Sequence, residues 1–524
     1  MCMLQNGRGP VEPLNARSMF DSAATAAMTA TADRQPVERR RRLTPAAIAV
    51  SNQKVGRAYS PIVIAGVVRV IDFAMLSAIG IVLYFGYVVP LKGFSWEFLA
   101  AIFGIAATAV ICFQAADIYQ VQLFRGRLQQ ISRMASSWAF VFLLFIGASF
   151  IVKLGSEISR IWLTAFFFTG ILAFVTGRLF LRSLVRGWAR QGRLDRRTII
   201  VGADENGEQL VRALNIQDDT DIKVLGVFDD RNDDRAMDTC AGSPKLGKVD
   251  DIVELARRTR IDLVLFALPI SAETRILEML KKLWVLPVDI RLAAHANRLR
   301  FRPRAYSHIG SVPMLDIFNK PIRDWDSVAK RCFDIVFTLL ALALLWPIML
   351  ATAIAIKVTS KGPVFFMQNR HGFNNEIIRI FKFRSMYADK GDPTGRAAVT
   401  KGDPRVTPVG RFIRKSSIDE LPQLFNVLKG DISLVGPRPH AILAQAKDRL
   451  FGDVVEGYFA RHRVKPGVTG WAQINGWRGE VDHDDKIKFR TAYDLYYIEN
   501  WSLWFDLKIL FLTPFRLFNT ENAY

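Results

Sequence analysis

The sequence predicts a membrane protein of α plus α/β class: a four-helix transmembrane bundle, a Rossmann-like α/β domain, and a mostly helical C-terminal domain with a re-entrant membrane helix. Three observations predict it. Four apolar runs crowd residues 59–192, strand–helix alternation starts at Thr198, and a further apolar run, Ile335–Ile356, is interrupted by Pro347. A chain of 524 residues has room for three or four domains. Half of it is hydrophobic and 23% is charged, which suits membrane helices joined to water-facing domains. The formal net charge is +21. No repeated basic–aromatic module is present, so we assign this excess to anionic lipid and phosphorylated substrates, not to nucleic acid.

Residues 1–58 are polar, Ala/Thr-rich and basic near Arg39–Arg42, and read as a disordered cytoplasmic tail. The four apolar runs are about Phe73–Val89, Phe98–Phe113, Trp138–Val152 and Trp162–Val175. With flanking residues each reaches the roughly 17 needed for a span. Cations gather before the first run, after the second (Arg125, Arg127, Arg133) and after the fourth (Arg178 to Arg193). The positive-inside rule therefore puts both ends of the bundle in the cytoplasm. Arg69 and Asp72, at i and i+3, are positioned to pair. The scattered Cys2, Cys112, Cys240 and Cys332 read as free thiols.

Residues 193–322 form the Rossmann-like domain. Thr198–Val201, Val224–Phe228, Leu263–Leu268 and Val288–Arg291 read as strands, and Glu208–Leu214 as a helix. The first turn, Gly202-Ala203-Asp204-Glu205-Asn206-Gly207, imitates a dinucleotide fingerprint but puts Asp204 at the second glycine position. Its side chain and charge oppose a pyrophosphate, so a structural or regulatory role is expected, with Asp229 the one candidate for a ribose.

Residues 323–524 form the last domain. Its apolar run is flanked by cations on both sides, Lys330 and Arg331 before it, then Lys357, Lys361, Arg370 and Arg379. Equal flanks argue against a fifth span. Pro347 removes a backbone donor and bends the helix, so a re-entrant helix over 330–358 that enters and leaves one leaflet is expected. Downstream, adjacent carboxylates Asp419 and Glu420 lie among cations. One carboxylate can attack phosphorus while the other holds Mg²⁺. Lys382, Arg384, Arg411, Arg414, Lys415 and Arg438 offer a clamp for phosphate oxygens. Prolines on both sides fix the backbone of Arg438. His440, His462 and His483 lack ligand spacing. The stretch Tyr493–Phe518 suits either an interfacial helix or a packed aromatic one.

Lys382-Phe383-Arg384-Ser385-Met386, Asp403–Thr407, Arg411–Asn426 and Leu434–Pro439 together resemble the catalytic domain of the bacterial sugar transferases, the monotopic phosphoglycosyl transferases. The two preceding regions are similar to the long form of that family. Lys465–Glu480 resembles its undecaprenyl-phosphate glucose-1-phosphate transferases. The resemblance implies an inner-membrane enzyme of exopolysaccharide synthesis with its catalytic domain facing the cytoplasm. Asp419 would take sugar-1-phosphate, with glucose expected and galactose next, from a UDP-sugar. It would release UMP and pass the group to undecaprenyl phosphate. Glu420 matches the Mg²⁺ ligand, and Lys382, Arg414 and Arg438 match phosphate-binding positions. A homodimer is expected. The residue before the proline is commonly serine in the family but is Trp346 here. The second functional reading is a membrane-tethered nucleotide-sugar dehydratase or oxidoreductase using the middle domain; a non-enzymatic scaffold is a third.

Overall fold

A computed structural model describes residues 42–53, 56, 58–119, 129–151, 159–216, 221–231, 239–269, 272–293, 307–309, 312–388, 403–441, 445–446, 449–455, 457–477, 479 and 484–517. Among these, five helices are long and apolar enough to cross a membrane: Pro61–Lys92, Trp96–Ala115, Ser132–Ile151, Arg160–Arg190 and Asp324–Thr359. The first begins where Ser60 caps Val63 and proline occupies the first turn, the second at Ser95, and the fourth at Ser159. At these three starts the caps, and not hydropathy alone, set the helix end, so each helix begins before its apolar stretch.

The four N-terminal helices share one core in which Ile102, Phe113, Trp138, Trp162 and Phe166 are almost wholly buried. The expected Arg69–Asp72 pair does not form. Asp72 points into the helix interface, so its partner comes from a facing helix: Arg178 donates to its carboxylate at 2.6 Å, with both side chains buried. Arg69 instead lies over the Tyr119 ring. The tail also differs from expectation at its end. Helix Pro45–Ser51, capped by Thr44, buries Ala47 and Val50 with Leu43 against the middle domain's Leu246 and Val249. Three apolar side chains on one face give this stretch enough area to order it. Residues 1–41 lie outside the described residues.

The middle domain is an eight-stranded sheet. Its strands are β1 (Arg196–Val201), β2 (Ile222–Phe228), β3 (Thr239–Cys240), β4 (Ser243–Gly247), β5 (Leu263–Phe266), β6 (Asp289–Ala293), β7 (Ser307–Ile309) and β8 (Val312–Phe318). The order is β3-β4-β2-β1-β5-β6-β8-β7. β4, β2, β1, β5 and β6 run parallel, and β3, β7 and β8 are antiparallel additions. The parallel strands carry continuous apolar runs because helices cover both faces. All four expected strands are present.

Asp324–Thr359 is one helix through Pro347, not two helices parted by a break. Proline costs the single bond to Ala343 and kinks a helix without having to end it. Both ends of this helix are fastened to the same folded unit. Near its start, Lys330 donates to Val435 O and Asp506, Arg331 to Val427 O and Leu428 O, and Asp334 accepts from Ser433 and Leu434. Towards its end, Met349 and Ile356 pack on Phe383 and Ile413. Between them Leu339, Leu344, Trp346, Leu350 and Ile354 face outwards. The C-terminal stretch is both packed and exposed. Tyr497 and Asp506 are buried, whereas Trp504, Phe511 and Phe515 protrude.

Candidate active site

Three segments build the site. The first is the hairpin β9 (Phe365–His371) and β10 (Ile377–Phe383), whose register sets Lys382 opposite Phe366. The second runs from helix Pro408–Lys415, capped by Thr407, through Ser417 to the short 3-10 turn Ile418–Glu420. Ser417 has φ +60°, a left-handed conformation that turns the chain sharply and presents the two acids together. The third is β11 (Ser433–Val435) followed by Gly436-Pro437-Arg438. Asn426, on the helix Gln423–Lys429 that follows the second segment, ties it to the first: its Oδ1 accepts from Phe381 N at 2.9 Å and its Nδ2 donates to Arg379 O at 2.7 Å. Gly436 is required by packing, since a Cβ there would lie 2.6 Å from Lys465 O.

Within this frame the acids are inequivalent. Lys382 Nζ donates to Glu420 at 2.8 Å, and Arg438 grips both oxygens of Glu420 at 3.1 and 2.5 Å. Among the described residues, Asp419 has one ion-pair partner, Lys382, at 3.7 Å. Burial pushes the Asp419 carboxyl up, against the pull of Lys382. Burial also acts on Glu420, but Arg438 and Lys382 outweigh it and hold Glu420 well below the usual carboxylate range. Beside them Arg414 carries a buried Nη1 with no partner among the described residues. The constellation is a desolvated, weakly paired carboxylate next to a strongly clamped one, with donor capacity left over for an anion.

Comparison with known proteins places this arrangement. A model described as bacterial sugar transferase matches residues 325–520. The chain is 35% identical over 464 residues to the UDP-glucose:undecaprenyl-phosphate glucose-1-phosphate transferase of Xanthomonas campestris pv. campestris, covering 87% of this chain and 94% of the relative. The chain belongs to the bacterial sugar transferase family. The Escherichia coli K12 protein of the same description is 37% identical over 369 residues, 70% of this chain and 76% of its own. The undecaprenyl-phosphate galactose phosphotransferase of Salmonella typhimurium is 33% identical over 351 residues, 63% and 69%. A second model, described as CoA-binding domain, matches residues 114–294.

In this sugar transferase the predicted site residues divide. Lys382, Arg414, Arg438, Asp419 and Glu420 come together. Arg384 does not join them: β10 ends at Phe383, so the next side chain leaves the sheet, and Arg384 donates to Ser360 O and Lys361 O at the end of the membrane helix. Arg411 and Lys415 are exposed on helix Pro408–Lys415. Pro347 lies within the helix beneath. Two functional positions escaped sequence reasoning. Arg370, on β9, donates from Nη1 to Pro439 O at 2.5 Å, next to Arg438 in the chain, and its guanidinium is lowered to about 10 by burial and then by Arg438. Arg461, wholly buried, donates to Asp494 at 2.6 Å and to Arg438 O at 2.8 Å, and so holds the backbone of the clamp. The only sequence signal for these was charge inside otherwise packed segments. His440 and His462 are buried in this supporting layer, and burial holds both well below the ordinary histidine range, so they stay neutral. His483 lies outside the described residues.

The fingerprint turn of the middle domain is closed by its own residues. Asp204 caps Gly207 N at 3.1 Å, Asp229 accepts from Ala203 N at 2.8 Å, and Arg231 reaches Asp204 at 3.0 Å. Two N–H groups of this turn, those of Ala203 and Gly207, are thus taken by the protein's own carboxylates, and the negative charge of Asp204 and Asp229 opposes a diphosphate there.

Proposed function

We propose that this chain transfers glucose-1-phosphate from UDP-glucose to undecaprenyl phosphate at the inner leaflet of the bacterial cytoplasmic membrane, starting exopolysaccharide repeat units. The observation that carries the reading is the buried Asp419, weakly paired beside a fully clamped Glu420. Asp419 Oδ attacks the β-phosphorus of UDP-glucose. The Oδ–P bond forms, the P–O bond to UMP breaks, and UMP leaves with the electron pair. An oxygen of undecaprenyl phosphate then attacks the same phosphorus, the Oδ–P bond breaks, and the carboxylate is restored. Burial favours this role because a desolvated carboxylate is the stronger nucleophile. Lys382, Arg438, Arg414 and Arg370 neutralise the diphosphate, so that the two anions can approach.

Two adjacent carboxylates, with no cluster of three acids, histidines or cysteines among the described residues, suit the way Mg²⁺ binds through one or two carboxylates plus substrate phosphates. Glu420 would hold the ion, which when bound supplies Lewis-acid charge at the diphosphate. The re-entrant reading of Asp324–Thr359 is supported by both of its ends being tied to one domain, Arg331 to Val427 O and Arg384 to Ser360 O, with apolar side chains outward between them. That geometry keeps the acids on the side of soluble UDP-sugars and next to the lipid phosphate. Glucose is favoured by the relatives' names, and galactose is the second candidate. The test is UMP release from a panel of UDP-sugars with undecaprenyl phosphate and Mg²⁺. Glucose is expected to give the highest kcat/KM, and no UMP from any sugar would refute the proposal.

A further inference from the structure

Between the middle and C-terminal domains lies a cavity of about 330 Å³. It opens at the edge where β5 and β6 begin, the opposite end of the parallel strands from the closed fingerprint turn. Five cations line it against two acids, Asp262 and Glu376. Some of this charge is satisfied: Arg258 pairs with Glu254, and Arg260 with Asp262 at 2.9 Å. Lys320 reaches Asp262 only at 3.4 Å. Arg463 donates to Asn319 O at 3.3 Å and leaves its Nε buried without a partner among the described residues. Burial lowers the Arg463 guanidinium, and burial with repulsion from Arg260 lowers Arg197 behind the Thr259 wall. Positive charge is therefore in excess and poorly solvated here. The remaining wall is apolar, from Ile261, Val288, Ile322 and Phe373.

The tip of the β9–β10 hairpin closes one side. Asn374 and Asn375 both have positive φ, +51° and +60°, and Asn374 Nδ2 donates to Ala256 O of the middle domain at 2.8 Å. The same hairpin carries Arg370 and Lys382.

We propose that this cavity is a binding site for a small soluble phosphate-bearing molecule with an apolar portion, held by Lys320 and Arg463, which bridges the two domains and stiffens the hairpin tip. A charged head with an apolar body matches a lining that is partly cationic and partly apolar, and the volume lies at the lower end of the range for ligand pockets. The binding claim is independent of the transferase reading.

Hydrogen–deuterium exchange of the full chain in phosphatidylcholine nanodiscs tests it, with phenyl phosphate as the probe and phenol as the uncharged control. Phenyl phosphate is expected to slow exchange in peptides covering 256–262 and 373–376, and phenol to leave both unchanged. Lys320→Ala/Arg463→Ala is expected to lose that slowing while exchange across 414–420 stays at the wild-type rate, which shows that the variant is folded. Lys320→Gln alone repeats the test should the double variant lose protection everywhere. Unchanged exchange at 256–262 with saturating phenyl phosphate overturns the proposal, as does equal slowing in both variants. Slowing in phosphatidylglycerol discs without phenyl phosphate would replace the soluble ligand by a lipid headgroup and overturn that assignment.

Discussion

The acid–arginine cluster of the middle domain and that of the C-terminal domain use the same residue types and end differently. At the fingerprint turn, Asp204 and Asp229 are matched by Arg231, at 3.0 and 3.5 Å, and accept from nearby backbone N–H groups, although Arg231 keeps a buried Nε without a hydrogen-bond partner among the described residues. At the transferase site, Glu420 takes up Lys382 and Arg438, while Asp419 is left with one distant cation and Arg414 with an unused donor. A cluster that closes on itself stabilises a turn. A cluster that buries charge without cancelling it stores binding capacity for a substrate. Pairing decides function here, more than the presence of charge.

The largest effect is expected of Asp419→Asn, which keeps the shape and removes the proposed nucleophile. UMP release is expected to fall at least about 10³-fold with an unchanged thermal midpoint. Arg438→Ala is expected to lower kcat about 10²- to 10³-fold, since it removes the bidentate clamp. Arg461→Ala leaves buried Asp494 unpaired, so it should cost on the order of 3–5 kcal/mol in stability and also lower kcat; chemical denaturation with kinetics on the folded fraction separates the two effects. The pH profile sharpens the contrast within the acid pair. In the proposed reaction Asp419 must be ionised to attack, and its carboxyl is raised by burial. The acid limb of kcat/KM should therefore fall at a higher pH than an ordinary aspartate titrates, while Glu420 remains charged. The smallest effect belongs to the closed cluster. Arg231→Ala breaks a partly exposed pair and should cost about 0–1 kcal/mol, with UMP release within about twofold of wild type.

Much of this was legible in the sequence, for physical reasons that also explain the failures. Buried parallel strands read as unbroken apolar runs, so β1, β2, β5 and β6 were visible. β4, Ser-Pro-Lys-Leu-Gly, and β8 alternate or carry proline and lacked that signal. The acid pair and its motifs marked Asp419, Glu420, Lys382, Arg414 and Arg438. Arg384 was misread because it sits two residues after Lys382, on the same face had the strand continued. Arg370 and Arg461 are brought in by long-range packing, through Pro439 O and Asp494, that no local pattern encodes. The partner of Asp72 was missed for the same reason: Arg178 lies on another helix.

The central claim is that the hexose phosphate rests on the enzyme before the lipid takes it. The direct measurement incubates the purified protein with UDP-glucose labelled in the sugar, omits undecaprenyl phosphate, quenches in acid and maps the labelled peptide. One sugar-phosphoryl adduct is expected on the peptide containing Asp419, absent from Asp419→Asn and discharged when undecaprenyl phosphate is added. Label on a peptide lacking that residue, or full turnover with no adduct at any time, would contradict it.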